Sequence, residues 1–543
     1  MNHDYSNKSF IDGSTLWQDD IRAGLHKVQL QNGNWELYEN TPCSLYDSLV
    51  NSKNHFPDKC CIVDDNGATY TYQQFFELVE EFSRVLYTQY YVRAGSRIGL
   101  LMYNSIEFCT AFYAINKLRA IVVPLSTKYR KAEIFSLMEK VELSGVIYDK
   151  DFSEWFRGTL PSSAIFLLPV TNGQGHCTLP VGGVVCNLQT DCRSLDDTAI
   201  LMFTSGTTSQ SKGVCLSNYN AIHAITVYQK IFHITETDRT VIPVPIYHVT
   251  GLLALLGLFI HCGSCIYLHK FFNARRVLNA VNQYNITFLH GSPTVFSMLM
   301  EHEGEWPNLP SLRILACGSA NMPKAKILKL HQWMPHVQFR TVYGLTETSS
   351  PATIFPDDAA VSPYIGSSGQ PVPGVQLKIC NEEGTLLPYN TPGSVLIKGS
   401  VVTTGYYHLQ AKAFQNGWLD TGDIGYLNKE GYLYIVDRKK DMINRGGEKI
   451  CSLDVENILY SIPGIAEATV VGIPDAIYGE TPAAMIKLSR GISLTAEEIQ
   501  LRLRKSLATF QIPTKFIFTD RLPITPNGKI DKNKIRQLLS QNL

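Results

Sequence analysis

Short apolar runs alternate with helix-like segments along much of the chain, and this alternation limits the possible folds more than any other feature. The strand-like run Ser96–Met102 precedes the helix-like pattern Ile106–Lys117. Further buried strands are predicted at Ala199–Phe203, Thr240–Val244, Ser264–Leu268, Thr287–Leu289 and Leu312–Cys317. Alternation of this kind predicts an α/β fold with parallel sheets. At 543 residues, the chain needs more than one hydrophobic core.

The hydrophobic pattern of the sequence changes from Gly393. Short alternating strands with glycine-rich turns begin there and predict a small β-barrel-like subdomain. Beyond Lys440 a separate apolar pattern begins, so we predict a boundary there. The predicted domains are a large N-terminal domain of stacked α/β subdomains, residues 1–439, and a small α+β C-terminal domain, residues 440–543. The stretch Leu160–Asp197 is rich in turn-forming residues and is predicted to be irregular.

Charge and cysteine usage exclude several classes of protein. Lys plus Arg equals Asp plus Glu at 48 each, so no global field predicts a nucleic-acid or membrane-surface partner. The 13 cysteines lack the spacing of a secreted disulfide framework, which favours a reducing compartment, the cytoplasm. The N-terminal segment has no signal-peptide pattern. The apolar run Gly251–Ile260 is too short for a membrane span and is predicted to be a buried helix.

A loop rich in small hydroxyl residues, Thr204–Val214, follows the strand Ala199–Phe203. Its glycines, hydroxyls and Lys212 can surround a phosphate with backbone N–H groups and one positive charge. The spacing is not that of a Walker A motif. Taken alone, the loop is equally compatible with a Ser/Thr-rich turn.

Six further stretches follow the loop in order: Pro245–Leu252, Gly318–Pro323, Tyr343–Glu347, Asp420–Asp423, Asp437–Ile443 with Gly446–Glu448, and Pro526–Lys529. With them, nearly the whole chain resembles the adenylate-forming enzymes, which include acyl-CoA synthetases, peptide-synthetase adenylation domains and firefly luciferase. Two positions depart from the family loop, Ser209 in place of glycine and Ser211 in place of proline. Lys212 and Gly213 are retained.

The resemblance implies a nucleotide site for ATP and Mg²⁺. Thr346 would contact the α-phosphate and Glu347 would hold Mg²⁺. Asp423 would bind the ribose hydroxyls, with Arg438 on the ribose or phosphate. The residues implied to hold the β- and γ-phosphates are Thr204, Ser205, Gly206, Thr207, Thr208 and Lys212, and those implied to flank adenine are Gly318, Ser319, Ala320, Tyr343 and Gly344.

Lys529 is the implied catalytic cation, bridging the substrate carboxylate and the α-phosphate. The family rotates its C-terminal domain between two half-reactions, and Lys440 matches the hinge. In the second state Gly446 and Gly447 would approach the pantetheine arm of coenzyme A, because glycine permits close approach of a ligand. Alternatively, these two glycines simply form a tight turn.

On the acid side, His248 matches a family histidine at the mouth of the acyl pocket. Val249, Thr250 and Phe296 are predicted to line that pocket together with Gly318–Ala320. Amino-acid-activating members of the resembled family carry an aspartate in the region of Tyr247–Gly251, and this sequence has no carboxylate there, so the resemblance disfavours an α-amino acid. The predicted pocket is apolar, which favours a fatty or aromatic acid. The pair Cys262 and Cys265 is predicted to be structural, because a zinc site needs about four ligands.

The predicted activity is an AMP-forming acid–thiol ligase that converts a carboxylic acid to an acyl-AMP and then to an acyl-CoA. A closely related alternative loads the acyl group onto a carrier-protein phosphopantetheine. Two others are a luciferase-like oxygenase and a non-catalytic nucleotide-binding protein.

Overall fold

The computed structural model describes residues 9–158, 166–171, 175–182, 193–204, 211–409, 413–525 and 529–541. Ser205, Gly206, Thr207 and Thr208 of the phosphate loop lie outside these residues. So do residues 526–528, directly before Lys529. Within the described part of the chain, no helix is long and apolar enough to cross a bilayer.

The first sheet is mostly parallel and carries the phosphate loop at one edge. Its strands, in spatial order, are Gly213–Ser217, Thr198–Phe203, Ile121–Pro124, Arg97–Leu101, Gly145–Asp149 and Phe166–Val170. Thr198–Phe203 and Gly213–Ser217 form an antiparallel pair on either side of the loop. Almost every residue of the central strands is buried, as expected for parallel strands covered on both faces.

The second sheet is parallel through its centre. Its strands, in spatial order, are Gln370–Pro371, Thr353–Ile354, Gln338–Tyr343, Ile314–Cys317, Phe288–Gly291, Arg239–Ile242, Cys265–Leu268, Cys60–Val63 and Thr69–Thr71. Parallel strands present their carboxyl ends at one edge of a sheet, which is where open α/β sheets bind ligands.

The third sheet is antiparallel and joins distant parts of the chain. Its path is Phe10–Asp12, Val375–Cys380, Gly393–Gly399, Trp418–Leu427 and Phe414–Gln415, with Leu433–Arg438 also paired to Trp418–Leu427. The sequence predicted only its later strands; it also includes Val375–Cys380 and the N-terminal strand Phe10–Asp12. The indole N–H of Trp17 donates to the carbonyl oxygen of Pro371 at 2.8 Å, close in sequence to the paired strands Phe10–Asp12 and Val375–Cys380. A separate hairpin pairs Leu25–Leu30 with Gly33–Tyr38.

The fourth sheet lies wholly beyond residue 440. It contains Glu448–Ile450, Ile443–Arg445, Gly479–Leu488 and Ile465–Asp475, with Lys515–Phe518 parallel to Gly479–Leu488. The fold class is therefore the predicted one: α/β layers, a small antiparallel sheet and a small α+β C-terminal unit.

Helices cover the sheets. Before residue 440 they are Asp19–Arg22, Leu45–His55, Tyr72–Thr88, Ile106–Lys117, Lys131–Lys140, Ser153–Phe156, Asn218–Phe232, Val249–Gly251, Leu258–His261, Ala274–Tyr284, Pro293–Met300 and Lys324–Trp333. After it come Ser452–Ser461, Ala496–Leu503 and Lys532–Gln541. Short 3₁₀ turns occur at Gly13–Thr15, Lys150–Phe152, Thr346–Thr348 and Thr509–Gln511.

Local sequence signals explain several of these helices. Thr71 and Gln74 form a capping box, and the following helix buries Phe75, Val79 and Phe82, a spacing that places them on one helical face. The predicted capping box of Thr495 and Glu498 also forms. The apolar run at Gly251–Ile260 is buried and helical, with a π-helical segment at Leu252–Gly257.

The region Leu160–Asp197 is not wholly irregular. Phe166–Val170 forms an edge strand parallel to Gly145–Asp149. Pro169 obscured this strand in the sequence, because proline usually argues against a strand, but an edge strand tolerates it.

Candidate active site

A cavity of about 990 Å³ opens at the carboxyl ends of the second sheet's strands. Pro243, Ser292, Gly318 and Gly344 each follow one of these strands within two residues and line the cavity. Strand Trp418–Leu427 of the third sheet contributes another wall. The two sheets thus bring residues from distant parts of the chain to one cavity.

Asp423 is the most enclosed carboxylate in this cavity, with 3% of its surface exposed. Tyr343 donates its hydroxyl to Oδ2 at 2.6 Å, and Nε of Arg438 lies 3.4 Å from Oδ1. Asp423 and Arg438 are directly paired on neighbouring strands. Burial raises the pKa of Asp423, against the opposing effects of Arg438, Tyr343 and Lys529. The same burial and the neighbouring carboxylate raise the pKa of Tyr343, so Tyr343 remains a hydrogen-bond donor.

Lys529 lines the same cavity as Asp423 and Glu347. Two hydrogen bonds join Lys529 to Thr525: the N–H of Thr525 donates to the carbonyl of Lys529 at 2.7 Å, and the N–H of Lys529 donates to Oγ1 of Thr525 at 3.2 Å. Burial lowers the pKa of Lys529 to about 8; Arg438 and Lys440 act in the same direction, and Asp423 and Glu347 oppose them. The structure therefore places this cation among the residues predicted to bind nucleotide.

The ends of the phosphate loop are held together. The N–H of Thr204 donates to the carbonyl of Lys212 at 3.1 Å, and the hydroxyl of Ser211 donates to the carbonyl of Thr204 at 2.6 Å. Lys140 also donates to the carbonyl of Ser211. Ser211, one of the two departures from the family loop, is thus a buried hydrogen-bonding residue.

Lys212 and Glu347 meet through a residue that the sequence did not indicate, Tyr406. The ammonium of Lys212 lies 4.8 Å from the ring centroid of Tyr406, within cation–π range. The hydroxyl of Tyr406 donates to Oε1 of Glu347 at 2.8 Å. Nothing in the neighbouring sequence marks Tyr406 for this position, because its contact with Glu347 spans 59 residues.

The segment Gly344–Thr348 turns sharply beside the cavity. A Cβ atom on Gly344 would lie 1.6 Å from the carbonyl oxygen of Ser350, so only glycine fits there. Thr346 begins a 3₁₀ turn and lines the cavity. Ser319 has a φ of +72°, which is uncommon for a residue other than glycine. Ser319 and Ala320 also line an adjoining cavity of about 300 Å³, together with Tyr343.

His248, Val249 and Thr250 line the large cavity at the start of the π-containing helix. Burial, Lys529 and Lys128 lower the pKa of His248 to about 3, which keeps the imidazole neutral. Phe296, also predicted for the acyl pocket, lines neither the large cavity nor the adjoining one. It is fully buried and packs edge-on against Phe339. Among the described residues, Thr294, Val295 and Met298 form the wall there. Its helix, Pro293–Met300, turns that face toward the core, and a place for Phe296 in the acyl pocket stays a prediction.

Lys440 lines the cavity between the two parts of the chain. Gly446 and Gly447 form the two-residue turn between strands Ile443–Arg445 and Glu448–Ile450, with φ values of +59° and +95°. Such a hairpin turn requires positive φ at both positions. Among the described residues, neither glycine lines either cavity, so the turn accounts for both in this arrangement.

The predicted structural role of Cys262 and Cys265 agrees with their burial. Across the described ranges, no cluster of three or more His, Cys, Asp or Glu residues has the arrangement of a metal site. Glu347 fits Mg²⁺ only as one carboxylate ligand, with the remaining ligands from phosphate oxygens and water.

Comparison with known families shows to which family the chain belongs. Residues 49–407 match the AMP-binding enzyme family, and residues 454–529 match the AMP-binding enzyme C-terminal domain. The chain belongs to the AMP-binding enzyme family. The predicted adenylate-forming family and the predicted enzyme class, an AMP-forming acid–thiol ligase, are thereby confirmed.

Several curated members of the AMP-binding enzyme family are similar along nearly their full lengths. The oxalate–CoA ligase of Arabidopsis thaliana is 29% identical, over 90% of this chain and 97% of its own. The 2-succinylbenzoate–CoA ligase of Bacillus licheniformis is 31% identical, over 88% of this chain and 97% of its own.

Solved structures of the family are also similar to this chain along nearly their full lengths. The o-succinylbenzoate CoA synthetase of Bacillus subtilis with an acyl-adenylate intermediate has a TM-score of 0.78 and 27% identity, covering 90% of this chain and 97% of its own. Its complex with ATP and a magnesium ion also has a TM-score of 0.78, with 28% identity, covering 90% of this chain and 99% of its own.

Proposed function

We propose that this chain joins a carboxylic acid to coenzyme A in two steps, through an acyl-AMP formed from ATP with release of pyrophosphate. The observation that carries the proposal is the position of Lys529, which lies in one cavity with Asp423, Glu347 and Thr346. Both reacting groups are anions, so positive charge placed where they meet favours the reaction. The family assignment and its CoA-ligase relatives support the same chemistry.

Nucleotide binding would divide among the residues described above. Asp423 would accept hydrogen bonds from the ribose hydroxyls, while Tyr343 and Arg438 fix its carboxylate. Lys212, held against Tyr406, would face the β- and γ-phosphates, with Thr204 at the start of their loop. Mg²⁺ would be held by Glu347 and phosphate oxygens, where it supplies positive charge to the departing pyrophosphate.

Lys529 would position the acid. Its ammonium would contact the substrate carboxylate and an α-phosphate oxygen together, which lowers their mutual repulsion as the new C–O–P linkage forms. His248, neutral because of burial, would add no positive charge to this approach and would instead shape the path of the carboxylate.

The acid would extend past Val249 and Thr250 toward Val295, Met298 and Phe272, all of which line the cavity. These walls are mainly apolar, so we propose a fatty or aromatic acid as substrate. The name of the 2-succinylbenzoate–CoA ligase relative favours aromatic acids for the first tests. Coenzyme A is the proposed thiol and the cytoplasm the proposed location.

Acid-dependent exchange of pyrophosphate into ATP across a panel of fatty and aromatic acids tests the first step. Incubation of the best acid with ATP and either coenzyme A or a phosphopantetheinylated carrier protein tests the second. We expect exchange with at least one acid and a thioester on coenzyme A. Absence of exchange with every acid would reject the proposal, a thioester only on the carrier would reassign the acceptor, and oxygen consumption would indicate an oxygenase.

A further inference from the structure

Lys326 makes a contact between the parts of the chain before and after residue 440. It lies on helix Lys324–Trp333, and its ammonium donates to Oγ of Ser297 at 2.7 Å. The same ammonium lies 4.4 Å from the ring centroid of Tyr460, on helix Ser452–Ser461 of the C-terminal part. This is a cation–π contact across the boundary.

A second contact lies beside the first. Lys487, in the C-terminal strand Gly479–Leu488, sits 3.2 Å from Glu301 and 3.1 Å from Glu467. Glu301 belongs to the N-terminal part and Glu467 to the C-terminal part. Glu467 also acts electrostatically on Lys326. The two lysines and two glutamates thus place two positive and two negative charges where the N-terminal and C-terminal parts of the chain meet.

These contacts flank the cavities that contain Lys529. Lys326, Tyr460 and Glu467 line the smaller cavity, which Lys529 also reaches. Any movement that carries Lys529 out of the cavity by rotation of the C-terminal part must separate Tyr460 from Lys326 and Lys487 from Glu301. An arrangement reached by such a rotation would therefore lack these contacts.

We propose that Lys326 is a positioning residue that acts as a latch: it stabilises the arrangement with Lys529 in the nucleotide cavity and so favours adenylate formation over thioester formation. The inference rests on the proposed two-step function. Lys326 does not contact the reacting atoms in this role. It acts through the position of Lys529.

The latch has a distinctive kinetic consequence. If each half-reaction proceeds from its own arrangement, each rate scales with the population of that arrangement. The ratio of the two rates then follows the equilibrium between them, whichever arrangement predominates. Loss of a contact present in only one arrangement changes the ratio by the full free energy of that contact.

The test uses Lys326→Met, which keeps the aliphatic stem and removes the charge. The adenylation rate is measured by pyrophosphate exchange, and the thioester rate by adding pre-formed acyl-AMP and coenzyme A. We expect the ratio of adenylation to thioester formation to fall about tenfold, in the range of a partly desolvated cation–π contact. Lys326→Arg should restore the ratio to within about twofold, because guanidinium also binds aromatic faces.

Lys324→Met is the matched control, since Lys324 lies on the same helix and is exposed. Its ratio should be unchanged. Glu301→Gln should lower the ratio in the same direction by a smaller factor, because exposed ion pairs contribute little.

Equal loss of both half-reactions in Lys326→Met, or no change in their ratio, would overturn the latch. A fall in melting temperature with an unchanged ratio would assign Lys326 a purely structural role and also overturn it. Failure of the proposed function is distinguishable, because the unaltered chain would then show no acid-dependent exchange.

Discussion

The two charged sides of the cavity are built in different ways. Asp423 and Arg438 face each other on paired strands of the third sheet, and Tyr343 reaches them from the second sheet. Lys529 is instead held by two hydrogen bonds with Thr525, in the part of the chain beyond residue 440. The proposed ribose side thus lies on hydrogen-bonded strands, whereas the position of Lys529, the proposed catalytic cation, depends on how the C-terminal part docks. A fixed binding wall and a separately mounted cation suit an enzyme that must bind one nucleotide through two different steps.

Replacement of Lys529 should produce the largest effect. Lys529→Ala should slow pyrophosphate exchange about 100- to 1,000-fold, as expected when one preorganised electrostatic contact is lost. ATP affinity, measured by calorimetry, should change little because the ribose side is intact. Lys534→Ala, on an exposed residue of the next helix, serves as the control. Unchanged exchange in Lys529→Ala would contradict the division of roles.

Asp423→Asn should mainly affect ATP binding. We expect the KM for ATP to rise about 10- to 100-fold, corresponding to roughly 1.5–3 kcal/mol for hydrogen bonds to a charged group. Tyr343→Phe, which removes one donor to the carboxylate but keeps the ring, should have a smaller effect in the same assay. If Asp423→Asn lowered kcat while leaving the KM for ATP unchanged, Asp423 would belong with Lys529 on the catalytic side.

The pH dependence separates the two sides further. Because the pKa of Lys529 is lowered to about 8, its cationic form predominates below that pH and is lost above it. The kcat/KM of exchange, which reports the free enzyme, should therefore fall about tenfold per pH unit above pH 8. Lys529→Arg should abolish this decline, since guanidinium stays protonated. Burial also lowers the pKa of Lys326 to about 8. If the decline in kcat/KM persisted in Lys529→Arg but disappeared in Lys326→Arg, the titrating group would be Lys326.

The smallest effect is expected at the hairpin of the C-terminal part. Gly447→Ala adds a side chain at a φ of +95°, which costs about 1–2 kcal/mol, but no atom lies within 4 Å of the added Cβ. Adenylation should be nearly unchanged, and thioester formation should slow a few-fold if the turn approaches the pantetheine arm. Gly491→Ala, also at positive φ with open space, is the matched control. Equal effects of the two variants would favour the simple tight turn.

Local patterns predicted the elements well where burial is uniform. The helix Ile106–Lys117 occurs with the predicted bounds, and Ala199–Phe203 gains only one residue. Phe296 shows the limit of this approach. An apolar residue on a short helix beside the cavity can face either the ligand or the core, and the choice depends on the packing of Phe339 against it.

The candidate site likewise contains some residues that the sequence indicated and others that it did not. Asp423 and Lys529 could be proposed from the sequence because each belongs to a short stretch, Asp420–Asp423 or Pro526–Lys529, that resembles the adenylate-forming enzymes. Tyr406 and Lys326 could not, since each acquires its role from a partner more than 50 residues away, Glu347 and Tyr460 respectively. The spacing of residues along the chain does not indicate such contacts. The boundary near residue 440 and the hinge at Lys440 stay predictions.

The strand Phe10–Asp12 has a consequence for biosynthesis. Asp12 accepts a hydrogen bond from Gln376, 364 positions later, so this strand must wait for its partner after it leaves the ribosome. At bacterial to eukaryotic translation speeds of about 5–20 residues per second, that delay is roughly 20–70 s. Meanwhile the strand remains an unpaired edge exposed to other nascent chains. The sheet that carries Asp423 therefore cannot be completed until its last strand, Leu433–Arg438, has been translated.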